Sequence, residues 1–142
     1  MNTFYKLTVL MGAALLFTAV PAMAQMNHMV KFDAPFAFYA GNVKMPAGNY
    51  TVTQSDDNLD ILLLQSADHS QSTFVECMIV DVNTAPSDTE VSFNKYGKTD
   101  FLSTITVQGD ESGMQVLATK AELNAAKAAA AVKHSVSAKK GR

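Results

Sequence analysis

The sequence is poor in the residues that mark unusual classes of protein. Its single cysteine cannot form a disulfide within the chain. Four prolines and seven glycines among 142 residues are too few for a disordered or fibrous protein. Eleven basic and thirteen acidic residues nearly balance, so no global charge indicates nucleic acid as a partner. The composition, 48% hydrophobic, is that of one globular domain.

Motifs for the common catalytic and cofactor chemistries are also missing. The sequence has no G-x-S-x-G elbow, no H-E-x-x-H, no glycine-rich phosphate loop and no cysteine–histidine zinc spacing. Asp56, Asn58 and Asp60 have the spacing of the first three ligands of a calcium loop. Ile61 and Ala67, however, stand where that loop needs glycine and glutamate. We therefore interpret these three residues as a turn and expect no metal site here. Because the other motifs are missing, we also expect no cofactor and no catalytic residue.

Residues 1–24 have the features of a secretory signal peptide. Lys6 is the only charged residue among the first thirty, and the uncharged run 7–20 follows it. Ala22-Met23-Ala24 then supplies the small-x-small pattern that a signal peptidase reads. The run is too short for a bilayer, which needs about 20 apolar residues. We expect cleavage directly before Gln25, export to the periplasm or beyond the cell, and no transmembrane span afterwards.

Residues 25–118 predict a β-domain. Apolar and polar side chains alternate in short runs that turn residues separate about every ten residues. This spacing, with no helical stretch between the runs, predicts an all-β fold: an antiparallel sandwich or small barrel of seven to eight strands. A parallel sheet would need a crossover of a dozen or more residues between strands.

The longest run, residues 73–82, has apolar residues on both faces and predicts a central strand that is covered on both sides. Cys77 lies in it and is expected to be buried and slow to react. Aromatic residues near the start of the β-domain could form a ligand-stacking platform, but we expect them to fill the core. They are Phe32, Phe36, Phe38, Tyr39 and Tyr50.

Residues 119–142 differ from the β-domain in charge. Residues 25–118 have four lysines against twelve acidic residues, a net charge of −8, whereas residues 119–142 have six basic residues and one glutamate, a net charge of +5. Such a basic tail predicts contact with anionic envelope polymers or lipid headgroups. A tolerated, solvated terminus is the alternative. The predicted contact residues are Lys120, Lys127, Lys133, Lys139, Lys140 and Arg142.

The tail is predicted to be a helix that does not dock. Seven alanines between residues 121 and 131 favour an alanine-rich helix as far as about His134. Leu123 and Val132 would lie on opposite sides of it, so no apolar stripe faces the β-domain. We expect residues 135–142 to be disordered, and removal of the tail to cost little stability.

Residues 36–52 resemble the F-x-V-G-x-x-x-L-P-A-G-x-Y-x-V hairpin of small secreted bacterial β-rich proteins. Here the segment reads F-A-F-Y-A-G-N-V-K-M-P-A-G-N-Y-T-V, with Ala40 for valine and Met45 for leucine. Residues 59–64, 91–97 and 101–105 are similar to later segments of those chains. The resemblance implies an exported β-rich domain of unassigned activity and transfers no catalytic residue.

These features together predict an exported, non-enzymatic binding or structural module of a bacterial cell envelope. One alternative is a small periplasmic enzyme with a site built from separate loops, for which Asp56, Asp60, His69 and Glu76 are candidates by residue type. Another is a polyanion-binding protein that acts through its basic tail. A deep pocket with convergent titratable groups would favour the enzyme, and a filled core would favour the module.

Overall fold

The computed structural model of the protein describes residues 29–141, so the predicted signal peptide and Arg142 lie outside the described residues. The elements in chain order are β1 (Met29–Ala34), β2 (Phe38–Ala40), β3 (Val43–Met45), β4 (Gly48–Gln54), β5 (Ile61–Ser66), β6 (Ser72–Asp81), β7 (Glu90–Tyr96), β8 (Thr99–Thr106), β9 (Ser112–Val116), α1 (Lys120–Ala128) and β10 (Ala131–Lys140). Strands therefore dominate the described chain, as the sequence predicts.

Eight strands close into an antiparallel barrel in the order β8-β7-β10-β1-β4-β5-β6-β9, and β9 pairs back to β8. The sheet forks at β8: its second half pairs with β9, and its first half pairs with the β2–β3 hairpin. Tyr39 and Phe101 are partners at this fork, and their rings stack with centroids 5.2 Å apart. The prediction of a small antiparallel all-β fold with one C-terminal helix is confirmed, and the fold is a barrel rather than a sandwich.

The barrel interior is filled by side chains, as an eight-stranded barrel allows. Phe32, Phe38, Tyr50 and Phe93 form an aromatic centre in which ring centroids lie 5.2 to 6.2 Å apart. All four residues are at most 4% exposed. Phe36 is partly buried against this core from one end of the barrel. The predicted aromatic core is therefore confirmed for most of its members.

The C-terminal segment belongs to the barrel. Helix α1 ends at Ala128, and residues 131–140 form β10 between β7 and β1. The predictions of a helix to about His134 and of disorder from residue 135 are therefore wrong for the described residues. Without β10, both neighbouring strands would expose unpaired backbone N–H and C=O groups at an open edge.

β10 forms because its residues alternate. His134, Val136 and Ala138 lie on the inner side and are partly buried, whereas the intervening Ser135 and Ser137 are exposed. This period of two fits a strand with one covered face. The alanines before it favour a helix, but helix propensity is a weak prior that tertiary pairing overrides.

Polar contacts dock α1 on the outer side of β7. The hydroxyl of Thr119 accepts a hydrogen bond from the N–H of Glu122 at 3.3 Å and so caps the helix. The Glu122 carboxylate is only 6% exposed and accepts hydrogen bonds from Asn94 Nδ2 at 3.2 Å and Tyr96 Oη at 3.3 Å. Leu123 is 55% exposed, as expected of a helix without an apolar stripe. The expectation that such a helix would not dock is nevertheless wrong.

β6 is covered on one side only. Val75 and Cys77 point into the core and are 3% exposed, whereas Phe74 and Met78 on the other side are 69% and 46% exposed. The predicted burial of Cys77 is confirmed. The prediction that this strand is covered on both sides is wrong, because every strand of a barrel has one inner and one outer side.

Candidate binding groove

The basic residues predicted to form one polyanion contact lie on different parts of the fold. Lys120 and Lys127 lie in the first and last turns of α1. Lys133 and Lys139 share the outer side of β10 but are six residues apart, which is about 20 Å along a strand. Lys140 follows on the other side of the same strand. The structure therefore does not bring these side chains together as one site.

The residues considered for a loop-built enzyme do not converge on one site. Asp56 and Asp60 precede β5, and His69 follows it at the opposite end of the barrel. The six residues of β5 separate these loops by about 20 Å. Glu76 is the strand partner of Ile61 and so lies near Asp60, but it is exposed on the outer side of β6 and is far from His69. Within residues 29–141, no group of three or more histidine, cysteine or acidic side chains is placed to hold a metal ion.

A histidine–aspartate pair that the sequence did not reveal joins β10 to β8. His134 Nε2 lies 2.5 Å from Asp100 Oδ1, and Asp100 is 5% exposed. The imidazole also packs beside Phe36 and Phe93, with ring centroids 4.9 and 5.8 Å away. In the described part of the chain, no hydroxyl or thiol group is hydrogen-bonded to this histidine. The pair therefore has the contacts of a structural tie rather than of a catalytic dyad.

An open groove of about 680 Å³ crosses the outer side of β10, β1, β4 and β5. Most of its lining residues are polar, and it is called the polar groove for that reason. One row of paired residues runs across it: Lys139 pairs with Lys31, Lys31 with Thr51, and Thr51 with Gln65. Neighbouring strands are about 4.8 Å apart, so the row is roughly 14 Å long. Every side chain in the row can donate a hydrogen bond. The polar groove therefore presents a line of donors on the barrel surface.

Two like charges face each other in this row. Lys31 and Lys139 are direct partners on antiparallel strands, where Cβ atoms lie about 5 Å apart. Both are exposed, and among the described residues neither ammonium group has a carboxylate within 4.0 Å. Asp33 also lines the groove, two residues from Lys31 on the same side of β1. One part of the groove is therefore positive and the adjoining part is acidic.

The β5–β6 loop lies at the edge of the groove and is held by hydrogen bonds within the loop. The carboxylate of Asp68 accepts hydrogen bonds from the hydroxyls of Ser66 and Ser70, both at 2.7 Å, and from the Ser70 N–H at 3.0 Å. The hydroxyl of Ser66, followed by that of Ser70, lowers the pKa of Asp68 to about 2. His69 lines the groove and has a φ of 60°, an uncommon conformation for a residue other than glycine.

A second depression lies beside β6. Its volume is about 500 Å³, and its exposed apolar residues are Val43, Phe74 and Leu117. Val43 starts the second strand of the β2–β3 hairpin, and Leu117 leads from β9 toward α1. Its lining also includes side chains that can donate hydrogen bonds, among them Asn42, Thr73 and Lys120.

No family model, curated protein or solved structure matches the chain. The only helix within residues 29–141 is α1, and no described helix has the length and apolar character required to cross a membrane.

Proposed function

We propose that the protein is an exported, non-enzymatic module of a bacterial cell envelope that holds its ligand in the polar groove. The observation that carries this proposal is the contrast between a filled interior and a donor-lined outer groove. Phe38, Val52 and Leu62 are at most 1% exposed inside the barrel, whereas Lys31, Thr51 and Gln65 form part of the row on its surface. Ligand sites are usually concave, and a few polar groups in them fix the orientation of the ligand.

The arrangement of titratable groups supports binding rather than catalysis. An enzyme with general acid–base chemistry needs its groups within hydrogen-bond reach of one reacting atom. Asp56 and His69 lie at opposite ends of β5, and the contacts of His134 are Asp100 and two phenylalanine rings. A periplasmic enzyme is therefore the less supported alternative.

Export is supported by the sequence of residues 1–24 and by the resemblance of residues 36–52 to a segment of small secreted bacterial proteins. To test it, the full chain is produced in a bacterium, and the cell fractions are analysed by intact-mass spectrometry. We expect a periplasmic or secreted species that begins at Gln25. A full-length chain that stays in the cytoplasm or membrane fraction would contradict this part of the proposal.

Binding is tested with purified envelope polysaccharides and a matched pair of variants. Gln65→Trp places a bulky ring in the polar groove, whereas Gln115→Trp places the same ring on the outer side of β9. We expect the first variant to lose binding and the second to keep it, with the polymer recovered chemically unchanged. A polymer that is shortened or modified during incubation would instead support the enzyme.

A further inference from the structure

We propose that the ligand of the polar groove is an acidic polysaccharide, and that Lys31 and Lys139 are its paired cationic contacts. This inference rests on the proposed binding function. Lys139 belongs to the basic segment that the sequence singled out, but Lys31 comes from the acidic β-domain. Closure of the barrel brings the two together as cross-strand partners.

The lysine pair destabilises the barrel when no anionic ligand is bound. Like charges directly opposite each other on neighbouring strands destabilise a sheet. The β1–β10 contact has only three residue pairs, and Lys31–Lys139 is the middle one. An anionic group that lies between the two ammonium groups would remove this repulsion and would hold β1 to β10. Ligand binding and barrel closure would then stabilise each other.

The composition of the groove selects among anionic partners. Proteins that bind single-stranded nucleic acid stack bases on exposed aromatic rings. The aromatic residues that border the groove, Phe32 and Tyr50, are only 4% and 2% exposed. A membrane surface is flat, whereas this site is a concave track. Thr51 and Gln65 continue the row beyond the lysines and can bind the hydroxyl groups of a sugar chain.

Asp33 makes the two ends of the groove different in charge. It lies on the same side of β1 as Lys31, about 7 Å along the strand. A carboxylate at this place repels the acidic groups of a bound chain and restricts them to the lysine end. Removal of the Asp33 charge should therefore tighten binding, while removal of the lysine charges should weaken it. A purely structural role for these three side chains predicts no such opposite effects.

The test measures binding of the mature chain to polygalacturonate, a carboxylated sugar polymer, by calorimetry at low and at high salt. The variant Lys31→Gln/Lys139→Gln is compared with Lys98→Gln/Lys127→Gln, which removes the same charge from the β7–β8 turn and α1. We expect a loss of at least about ten-fold in affinity for the first variant and less than about two-fold for the second. Asp33→Asn should bind about two-fold or more tightly. Salt should weaken binding of the wild-type protein.

Thermal unfolding separates binding from folding in these variants. Lys31→Gln/Lys139→Gln should keep or raise the unfolding midpoint, because it removes a like-charge pair. Polygalacturonate should raise the midpoint of the wild-type protein more than that of this variant at the same polymer concentration.

Three results would overturn the inference. Equal losses in the two double variants would mean that only the total charge matters. Tighter binding to an oligothymidylate or to phosphatidylglycerol vesicles would assign the groove to a different class of partner. Binding of neutral dextran with the same affinity as polygalacturonate would leave the proposed binding function intact but would remove the role of the lysine pair.

Discussion

His134 Nε2, on the last strand of the barrel, lies 2.5 Å from Asp100 Oδ1 on β8, and β7 lies between these two strands. This contact ties the C-terminal segment to β8 across the intervening strand. It is independent of the backbone pairing of β10 with β7. Substitutions of these two residues therefore measure how much the contact contributes to the stability of the barrel.

A double-mutant cycle should reveal coupling between these two residues. We expect Asp100→Asn and His134→Gln each to lower the free energy of unfolding, because each leaves a partly buried polar partner without its contact. The coupling energy should be about 0.5–3 kcal/mol in urea unfolding. The same cycle with Asp88→Asn and His69→Gln, on different loops, is the control and should be additive within about 0.5 kcal/mol. Additivity of the Asp100 and His134 changes would contradict the contact.

Truncation after Leu117 should unfold the protein, contrary to the expectation from the sequence that removal of the tail costs little stability. The change removes α1 and β10 and leaves β1 and β7 as open edges. Because a domain has only about 5–15 kcal/mol of stability, loss of a barrel strand should exceed what remains. Circular dichroism should show no cooperative thermal transition. Leu123→Ser, at a position that is 55% exposed, should change the midpoint little. A truncated chain with the midpoint of the full protein would show that β10 is dispensable.

The stability of the protein should fall at alkaline pH. Burial, followed by the charge of Glu122, raises the pKa of Tyr96 above its ordinary value of 10.0. The unfolded chain therefore releases this proton first, so the contribution to stability is complete below pH 10 and is lost as the pH rises through the higher folded pKa. Urea unfolding between pH 8 and pH 11 measures the effect. Tyr96→Phe should make the fall smaller, and an unchanged pH dependence in this variant would contradict the assignment.

Cys77 should react slowly in the folded protein. Its side chain is 3% exposed, and its Sγ donates a hydrogen bond to the Leu59 carbonyl oxygen at 3.6 Å. Burial, followed by the charge of Asp60, raises the pKa of the thiol and lowers its thiolate fraction. A thiol reagent at pH 8 should label the protein only when denaturant is added. The variant Ser70→Cys/Cys77→Ser, with its thiol on an exposed loop, should react at once. Rapid labelling of the wild-type protein would contradict the buried position.

Neighbouring residues of β6 should differ sharply in their effect on stability. Val75→Ala should cost up to about 3 kcal/mol, because Val75 is 3% exposed in the core. Phe74→Ser should cost less than about 1 kcal/mol, since Phe74 is 69% exposed on the outer side. Chemical denaturation measures both values. A larger cost for Phe74→Ser than for Val75→Ala would show that the outer side of β6 is covered.

The local pattern of apolar and polar residues was sufficient to predict most strands and the burial of most of the aromatic residues. The apolar runs between turn residues in residues 25–118 predict β1, β2 and β4 to β9. Most of these runs alternate, because a strand with one buried side must alternate, whereas the run that predicts β5 is nearly continuous. It missed β3, which has only three residues after a turn. It also missed β10, where seven alanines between residues 121 and 131 outweighed the alternation that follows them.

The site depends on contacts that no local pattern encodes. The sequence alone determined an all-β domain with a buried Cys77 and an uneven distribution of charge. Only the tertiary structure decided that the chain closes into a barrel, and that closure places Lys31 of the first strand opposite Lys139 of the last. The physical reason is that β1 and β7 would otherwise have unpaired backbone N–H and C=O groups at an open edge. Residues 131–140 pair with both strands and satisfy these groups.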